Sequence, residues 1–154
     1  MTFVAFIRHG ATQWTEDGRI QGQADVPLCE QGRAALRAVR APAMLLGHRW
    51  HASPLGRALE TGRILGPGAF AIEPRLIEMH WGDWQGQTLA GLRARLGAAM
   101  QENEDRGMHF RPAGGETSAE VKMRMAQKCG ASPVSNQWVM PAGTLIRSLR
   151  SQTT

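Results

Sequence analysis

The chain has 154 residues, of which 42% are apolar and 20% are charged. This length is enough to bury one hydrophobic core, so we expect a single domain over residues 1–154. The composition excludes low-complexity disorder, and two cysteines are too few for a disulfide scaffold. No apolar run reaches the ~20 residues of a membrane helix, and the start lacks the basic leader of a signal peptide, so we expect a cytoplasmic protein with no membrane partner.

The net charge of +5 is confined to the C-terminal end of the chain. Residues 1–120 contain 13 basic and 13 acidic side chains, whereas residues 121–154 contain five basic side chains and no acidic one. A basic protein raises the question of nucleic acid as a partner. Five charges without interleaved aromatic residues give that idea little support, so nucleic acid is not expected as a partner. Residues after about 128 are expected to be atypical for the domain and poorly ordered.

The first half of the chain predicts strands that alternate with helices. In chain order we predict a buried strand over residues 2–7, an interrupted helix over 29–47, a strand over 49–52, a helix over 54–65 and a strand over 69–72. Pro42 is expected to interrupt the first of these helices. Ser53 and Pro54 are expected to begin the second helix, as its N-cap and its first residue.

The second half predicts two more helices. One covers residues 88–100 and is capped by Thr88, and the other covers residues 117–127 and begins with a capping box that joins Thr117 to Glu120. After Lys128 the only strand-like piece is residues 137–140. Strands alternating with helices indicate an α/β fold, a three-layer sandwich with a largely parallel central sheet and helices on both faces.

Arg8-His9-Gly10 follows the first predicted strand. Ligands of open α/β sheets bind at the carboxyl ends of strands, so these residues are expected to face the binding crevice. The three residue types suit phosphoryl chemistry, because a neutral imidazole is a nucleophile, arginine holds phosphate oxygens and glycine lets the backbone approach an anion. Alone the tripeptide is common, and a solvated strand end is the alternative interpretation.

Four blocks of sequence resemble, in order and spacing, the histidine phosphatase superfamily, the phosphoglycerate mutase-like proteins. They cover residues 8–14, 18–32, 53–61 and 76–86, and residues 112–117 resemble the family's Pro-x-Gly-Glu-Ser segment. The resemblance implies a phosphoglycerate mutase-like α/β fold. It also implies a metal-independent phosphomonoester hydrolase that acts through a phosphohistidine on a small phosphorylated metabolite, with no cofactor and no bound metal.

The resemblance assigns roles to particular residues. His9 would be the nucleophile, and Arg8 and Arg57 would clamp the phosphoryl oxygens. Glu78 would protonate the leaving oxygen and later activate water. Around the substrate phosphate we expect three further residues, Thr12, Gln21 and Gly22. Two arginines suit this work because a phosphate monoester carries a charge of about −1.5 to −2. The alternative interpretations are a surface salt bridge for Arg57 and a plain loop carboxylate for Glu78.

The resemblance fails near the C-terminus. The family has a second catalytic histidine there, but the matching stretch, residues 138–147, places Pro141 at that position, and no histidine follows His109. Either the chain is a divergent or truncated member, or residues after about 127 are read in a shifted frame, which the acid-free composition favours. Losing one such stabilising group typically lowers the rate by about 10²–10³. A catalytically impaired phosphate-binding pseudoenzyme is therefore the alternative to a hydrolase.

Two further expectations concern specificity and assembly. Thr15 stands where mutase-type members carry asparagine, and the stretch between Glu78 and Pro112 leaves little room for the covering loops of a mutase, which favours a hydrolase over a phosphoglycerate mutase-type phosphotransferase. The substrate itself stays open among sugar phosphates, phosphoglycerate, ribazole phosphate and nucleotide-like esters. A defective last strand would expose a sheet edge, which we expect to favour a homodimer.

Overall fold

The computed structural model describes residues 5–129. Its helices and strands are α1 Gln13–Glu16, α2 Glu30–Ala38, α3 Ala43–Leu46, β1 His51–Ala52, α4 Gly56–Leu65, β2 Ala71–Ile72, α5 Leu89–Leu96, α6 Ala98–Glu104 and α7 Ser118–Cys129. Short 3₁₀ turns cover Pro74–Leu76, Gly82–Trp84 and Gly107–His109. Within residues 5–129, no helix has the length and apolar character that crossing a bilayer requires.

β1, α4 and β2 form a strand-helix-strand unit. β1 and β2 are parallel, with His51 opposite Ala71 and Ala52 opposite Ile72, and α4 connects them. The Ala71 amide donates to the Trp50 carbonyl at 3.0 Å and the Glu73 amide donates to the Ala52 carbonyl at 2.9 Å, as expected for these two parallel pairs. Parallel strands require such a crossover, usually a helix. The predicted α/β class is therefore confirmed, although the sheet has only two strands among the described residues.

The buried strand predicted over residues 2–7 is wrong for its described part, residues 5–7. These residues have no strand geometry, and the Phe6 and Ile7 side chains are 45% and 37% exposed. A strand needs a neighbouring backbone to pair with and a layer to cover its apolar face. Residues 5–7 belong to no strand and to no β-bridge.

The interrupted helix after residue 29 is confirmed. α2 ends at Ala38 and α3 begins after Pro42, and the N-cap of α2 is Cys29, whose Sγ accepts the Gly32 amide at 3.4 Å. α2 packs against α4, and this contact includes an ion pair of 2.6 Å between Arg33 Nε and Glu60 Oε1. These two helices flank the residues that precede α1.

The predicted start of α4 is wrong by two residues. α4 begins at Gly56 with Leu55 in the N-cap position, and the Ser53 hydroxyl accepts the Leu55 amide at 3.4 Å instead of capping the helix. The first amide of α4 is satisfied from outside the helix, because Gly56 N–H donates to Asp25 Oδ2 at 2.8 Å. A distant carboxylate has therefore replaced the local cap that the sequence suggested.

The helix predicted over residues 88–100 is two helices. Thr88 caps α5 as predicted, but Gly97 at φ +53° ends it and begins α6. Trp84, Leu92 and Met100 form the buried core of this half, with Phe110 packed against it. The capping box of α7 is confirmed, since Thr117 N–H donates to Glu120 Oε2 at 2.8 Å and Glu120 N–H donates to Thr117 Oγ1 at 3.2 Å. The predictions for residues 137–140 and Pro141 lie outside the described residues.

Gly82 lets two loops approach so closely that their backbones are in direct contact. It adopts φ +50°, and a Cβ atom placed there would lie 1.9 Å from the Ala113 carbonyl oxygen. That carbonyl accepts the Asp83 amide at 2.9 Å. The contact joins the turn at residues 82–84 to the loop that precedes α7.

Gly82→Ala is expected to destabilise the protein more than Gly18→Ala. Both glycines have positive φ, but nothing lies within 4 Å of a Cβ placed on Gly18, so Gly18→Ala measures conformational strain alone, about 1–2 kcal/mol. Gly82→Ala adds a backbone collision, which we expect to cost a further ~1–3 kcal/mol. Urea unfolding followed by circular dichroism measures both, and equal losses of stability would show that the two loops are not in contact.

Candidate functional site

The segment that carries His9 is held between α2 and α4. Gly10 N–H donates to Thr61 Oγ1 at 3.1 Å, and Cys29 N–H donates to the Ala11 carbonyl at 2.9 Å. Gly32 lies so close to this segment that a Cβ placed on it would be 2.2 Å from the Ala11 oxygen. The backbone of the segment is therefore fixed by two helices, although residues 5–7 form no strand.

The environment of His9 favours a neutral imidazole with one particular tautomer. His9 Nδ1 lies 2.7 Å from the Gly10 carbonyl oxygen, which can only accept, so Nδ1 carries the proton and Nε2 keeps its lone pair. Burial lowers the pKa of His9 below its ordinary value, and Arg57 and Arg8 act in the same direction. The hydrogen bond to Gly10 and the charge of Glu78 oppose this shift without cancelling it. His9 is therefore prepared to act as a base or nucleophile through Nε2.

Arg57 is buried and ion-paired. Its side chain is 0% exposed, and Nη2 lies 2.8 Å from Glu78 Oε2. Its Nη1 donates to the Ala24 carbonyl at 2.8 Å and Nη2 donates to the Gly22 carbonyl at 2.6 Å. The Nε of Arg57 has no hydrogen-bond partner among the described residues. The alternative interpretation of Arg57 as a surface salt bridge is wrong, because α4 directs it inward.

Glu78 contacts the buried Arg57 guanidinium and is itself partly exposed. Its side chain is 40% exposed while one carboxylate oxygen contacts Arg57. Its backbone carbonyl accepts from Gln23 Nε2 at 3.0 Å and from Arg124 Nη2 at 3.2 Å. Both Arg57 and Glu78 are close enough to His9 for their charges to act on the imidazole. The structure thus brings the predicted nucleophile, acid and buried arginine together, and their chemical roles stay predictions.

Arg8 differs from Arg57 in exposure. It lies on the surface, and it forms no hydrogen bond or ion pair with any residue in the described range. Its charge still acts on His9. An exposed cation beside an imidazole is free to contact an incoming anion.

Thr12 and Gln21 are buried and form a hydrogen bond with each other. They are 0% and 7% exposed, and Thr12 Oγ1 donates to Gln21 Oε1 at 2.8 Å. Gln21 Nε2 donates to Thr15 Oγ1 at 3.2 Å, and Thr15 closes a capping box with Thr12 at the start of α1. The expectation that Thr12, Gln21 and Gly22 line a substrate phosphate stays a prediction. In the structure the side chains of Thr12 and Gln21 support the loop, and Gly22 contributes its carbonyl to Arg57.

Three aromatic side chains, Trp81, Trp84 and Phe110, pack against one another. Trp84 is 5% exposed, and its ring lies 6.2 Å from that of Trp81 and 5.6 Å from that of Phe110. His80 Nδ1 accepts the Gly82 amide at 3.2 Å, so this ring is tied to its own turn. No group of three or more His, Cys, Asp or Glu side chains in residues 5–129 is arranged to hold a metal ion.

The sequence interpretation missed Glu116 and Arg124. Glu116 contacts His80 twice, through its carboxylate to the His80 amide and through its own amide to the His80 carbonyl, each at 2.8 Å. Arg124 on α7 donates to the Arg75 carbonyl at 2.6 Å. The resemblance over residues 112–117 implies no role for Glu116. In the sequence Arg124 is only one of the basic residues at the C-terminal end.

Thr61→Val is expected to destabilise the protein by about 1–3 kcal/mol, because it leaves the partly buried Gly10 N–H without an acceptor. Thr61→Ser keeps the hydroxyl and is expected to lose less. Urea unfolding of both variants provides the comparison. A serine variant that loses as much stability as the valine variant would show that the hydroxyl is not what holds Gly10.

The pKa of His9 is expected to lie below 6.5, since burial and two arginines oppose the charged form. Glu78→Gln should lower it further, because the Glu78 charge raises it, and Arg8→Gln should raise it. NMR titration of the imidazole Cε1–H signals measures these shifts, with His9→Ala identifying the His9 signal among the five histidines. A titration at or above 6.5 in the unmodified chain would contradict the buried environment described above.

Proteins of known sequence provide an independent comparison. The family described as the histidine phosphatase superfamily (branch 1) matches residues 4–137. The chain is 34% identical over 131 residues to a glucosyl-3-phosphoglycerate phosphatase of Mycolicibacterium vanbaalenii, covering 79% of this chain and 55% of that protein. It is 38% identical over 129 residues to the Mycobacterium tuberculosis protein of the same name, covering 79% and 56%. The chain thus spans little more than half the length of these curated relatives.

Solved structures agree with the sequence comparison. A mycobacterial glucosyl-3-phosphoglycerate phosphatase in complex with VO3 superposes with a TM-score of 0.73 at 31% identity, covering 89% of this chain and 70% of that one. A phosphoglycerate mutase from Thermus thermophilus superposes with a TM-score of 0.67 at 28% identity, covering 84% and 71%. The predicted phosphoglycerate mutase-like α/β fold is confirmed, and the chain belongs to the histidine phosphatase superfamily (branch 1).

Proposed function

We propose that this chain is a metal-independent phosphomonoester hydrolase that acts through a phosphohistidine on a small phosphorylated metabolite. The observation that carries the proposal is the state of His9. Its Nδ1–H is committed to the Gly10 carbonyl and its pKa is lowered by burial, so Nε2 presents a lone pair at neutral pH. The family and the named phosphatases among its relatives support the same chemistry.

In the first step, His9 Nε2 attacks the phosphorus atom. The N–P bond forms as the P–O bond to the leaving group breaks, and the leaving oxygen takes its proton from Glu78. In the second step, Glu78 removes a proton from water, whose oxygen attacks phosphorus. The new P–O bond forms as the N–P bond breaks, the electron pair returns to Nε2, and inorganic phosphate and neutral His9 are released. The partial exposure of Glu78 suits a group that exchanges protons with both substrate and water.

In this scheme Arg57 exchanges one of its hydrogen-bond partners, the Glu78 carboxylate, for the substrate. Both of its Nη atoms are occupied, by two backbone carbonyls and by Glu78. Of these partners only the Glu78 carboxylate belongs to an exposed side chain that can move. We propose that a phosphoryl oxygen replaces this carboxylate on Nη2, which stabilises the phosphoryl group. The exchange also frees Glu78 to take up the proton it later donates.

Arg8 supplies the first contact with the substrate. It is exposed and has no partner among the described residues, so its guanidinium can hold two phosphoryl oxygens without breaking an existing interaction. Together Arg8 and Arg57 offset the charge of a phosphate monoester. The names of the relatives point to phosphorylated glycerate derivatives as the first substrates to test.

A catalytically impaired phosphate-binding protein is the second candidate. The observation in its favour is that Pro141 stands where the resemblance over residues 138–147 places the second catalytic histidine of the family. The two candidates share the anion pocket and differ only in turnover. A mutase-type phosphotransfer is a third outcome, recognised by transfer of the phosphoryl group to a second glycerate position without release of phosphate.

His9→Ala is expected to lower hydrolysis of p-nitrophenyl phosphate by roughly 10³–10⁶, the range seen when a covalent nucleophile is removed. Phosphate release from the full chain is measured with EDTA present, first on the aryl ester and then on 3-phosphoglycerate and glucosyl-3-phosphoglycerate. Loss of activity on chelation would contradict a metal-independent mechanism.

Binding of vanadate, followed by tryptophan fluorescence, separates the remaining outcomes. Vanadate binding that is lost on Arg8→Gln and is not accompanied by turnover would identify the phosphate-binding protein. His51→Ala serves as the control for removing a histidine, because His51 lies on β1 and is exposed. Equal activity in His9→Ala and the unmodified chain would overturn the proposed mechanism.

A further inference from the structure

Two arginines, Arg57 and Arg124, contact different parts of Glu78. Arg57 contacts its carboxylate at 2.8 Å, and Arg124 donates through Nη2 to its backbone carbonyl at 3.2 Å. Arg124 also donates to the Arg75 carbonyl through Nη1 at 2.6 Å, so its guanidinium spans the start and the end of the segment over residues 75–78. The same Nη2 lies 3.3 Å from Glu116 Oε2, whose carboxylate also accepts the His80 amide.

The burial of Arg124 indicates that this arrangement is specific. Its side chain is 19% exposed, and its Nε is buried without a hydrogen-bond partner in the described part of the chain. Burying a cation is unfavourable unless it is well paired, and an arginine on a helix such as α7 could lie in solvent at little cost. The three acceptors of Arg124 are two backbone carbonyls and one carboxylate, all around the segment that presents Glu78.

We propose that Arg124 is a positioning residue that fixes the Glu78 backbone so that its carboxyl group reaches the leaving oxygen of the substrate. This inference rests on the proposed function, because it assigns Arg124 a part in proton transfer by Glu78. Among the described residues, Arg124 makes no hydrogen bond or ion pair with His9. Its effect is to restrict the main chain of Glu78 while Arg57 restricts the side chain.

The leaving group of the substrate provides a specific test. A general acid matters most when the leaving oxygen is strongly basic, and little when it leaves readily as an anion. Arg124→Met should therefore lower kcat on glycerol phosphate, an alkyl ester, at least about 10-fold more than kcat on p-nitrophenyl phosphate, since a general acid contributes about 10²–10⁴. Glu78→Gln should show the same pattern more strongly.

The pKa of His9 provides a second readout that does not depend on turnover. The Glu78 charge raises the pKa of His9, whereas Arg57 and Arg8 lower it. If Glu78 moves away in Arg124→Met, the pKa of His9 should fall, as in Glu78→Gln. Removing the positive charge of Arg124 could by itself only raise that pKa, so a fall identifies displacement of Glu78.

Arg93→Met is the matched control. Arg93 lies on α5, is 57% exposed and pairs with Glu104, so the same substitution there should change neither the ratio of the two esters nor the pKa of His9. Arg124→Lys keeps the charge but can reach fewer of the three acceptors, and it should recover part of the alkyl ester activity. Circular dichroism of each variant confirms that it is folded.

The outcomes distinguish this inference from the proposed function. If the unmodified chain hydrolyses both esters, equal losses on the two esters in folded Arg124→Met overturn the positioning role and leave the hydrolase in place. If the unmodified chain hydrolyses neither ester, the proposed function fails, and the NMR titration decides the inference. A fall in the pKa of His9 then supports positioning of Glu78 by Arg124, and an unchanged or raised pKa refutes it.

Discussion

The buried guanidinium of Arg57 is the constraint on which the rest of the site depends. A cation without solvent exposure needs nearby hydrogen-bond acceptors, since its desolvation is otherwise too unfavourable. Arg57 finds them in the Gly22 and Ala24 carbonyls and in the Glu78 carboxylate. Asp25 adds a carboxylate oxygen 3.8 Å from Nη1 while its other oxygen accepts the first amide of α4. One side chain thus fixes the positions of α4, the loop over residues 21–25 and the segment that presents Glu78.

This constraint also accounts for the charge balance around His9. Arg57 and Arg8 lower the pKa of the imidazole, and Glu78 raises it. Burial has the largest effect, so the net shift is downward. Because Arg57 and Glu78 are paired, neither charge is left uncompensated when no anion is bound. An arriving phosphoryl group would take over the role of the carboxylate, so the site remains paired in both states. Such an exchange has a smaller desolvation cost than binding to an unpaired buried cation.

The sequence predicts the elements whose signals are local, and it fails where distant residues decide. Pro42 and the Thr117–Glu120 capping box act within a few residues, and both predictions are confirmed. The cap of α4 comes instead from Asp25, far along the chain, and so Ser53 was the wrong choice. The strand at residues 5–7 required a pairing partner that local pattern cannot provide. The meeting of His9, Arg57 and Glu78 was anticipated only through the resemblance, because no spacing along the chain implies it. Arg124 was missed for the same reason.

Exposure divides the charged residues of the site into two groups with different physical behaviour. Arg57 and Arg124 are mostly or fully buried and bind backbone carbonyls, so salt screens their interactions little and they serve to hold geometry. Arg8 is exposed and has no partner within residues 5–129, so its attraction for an anion is screened by salt but requires no reorganisation. In the proposed hydrolase, capture of the phosphate therefore rests on the exposed arginine. In the same proposal the buried arginines orient the reacting groups, so that a change at either would alter catalysis by moving Glu78.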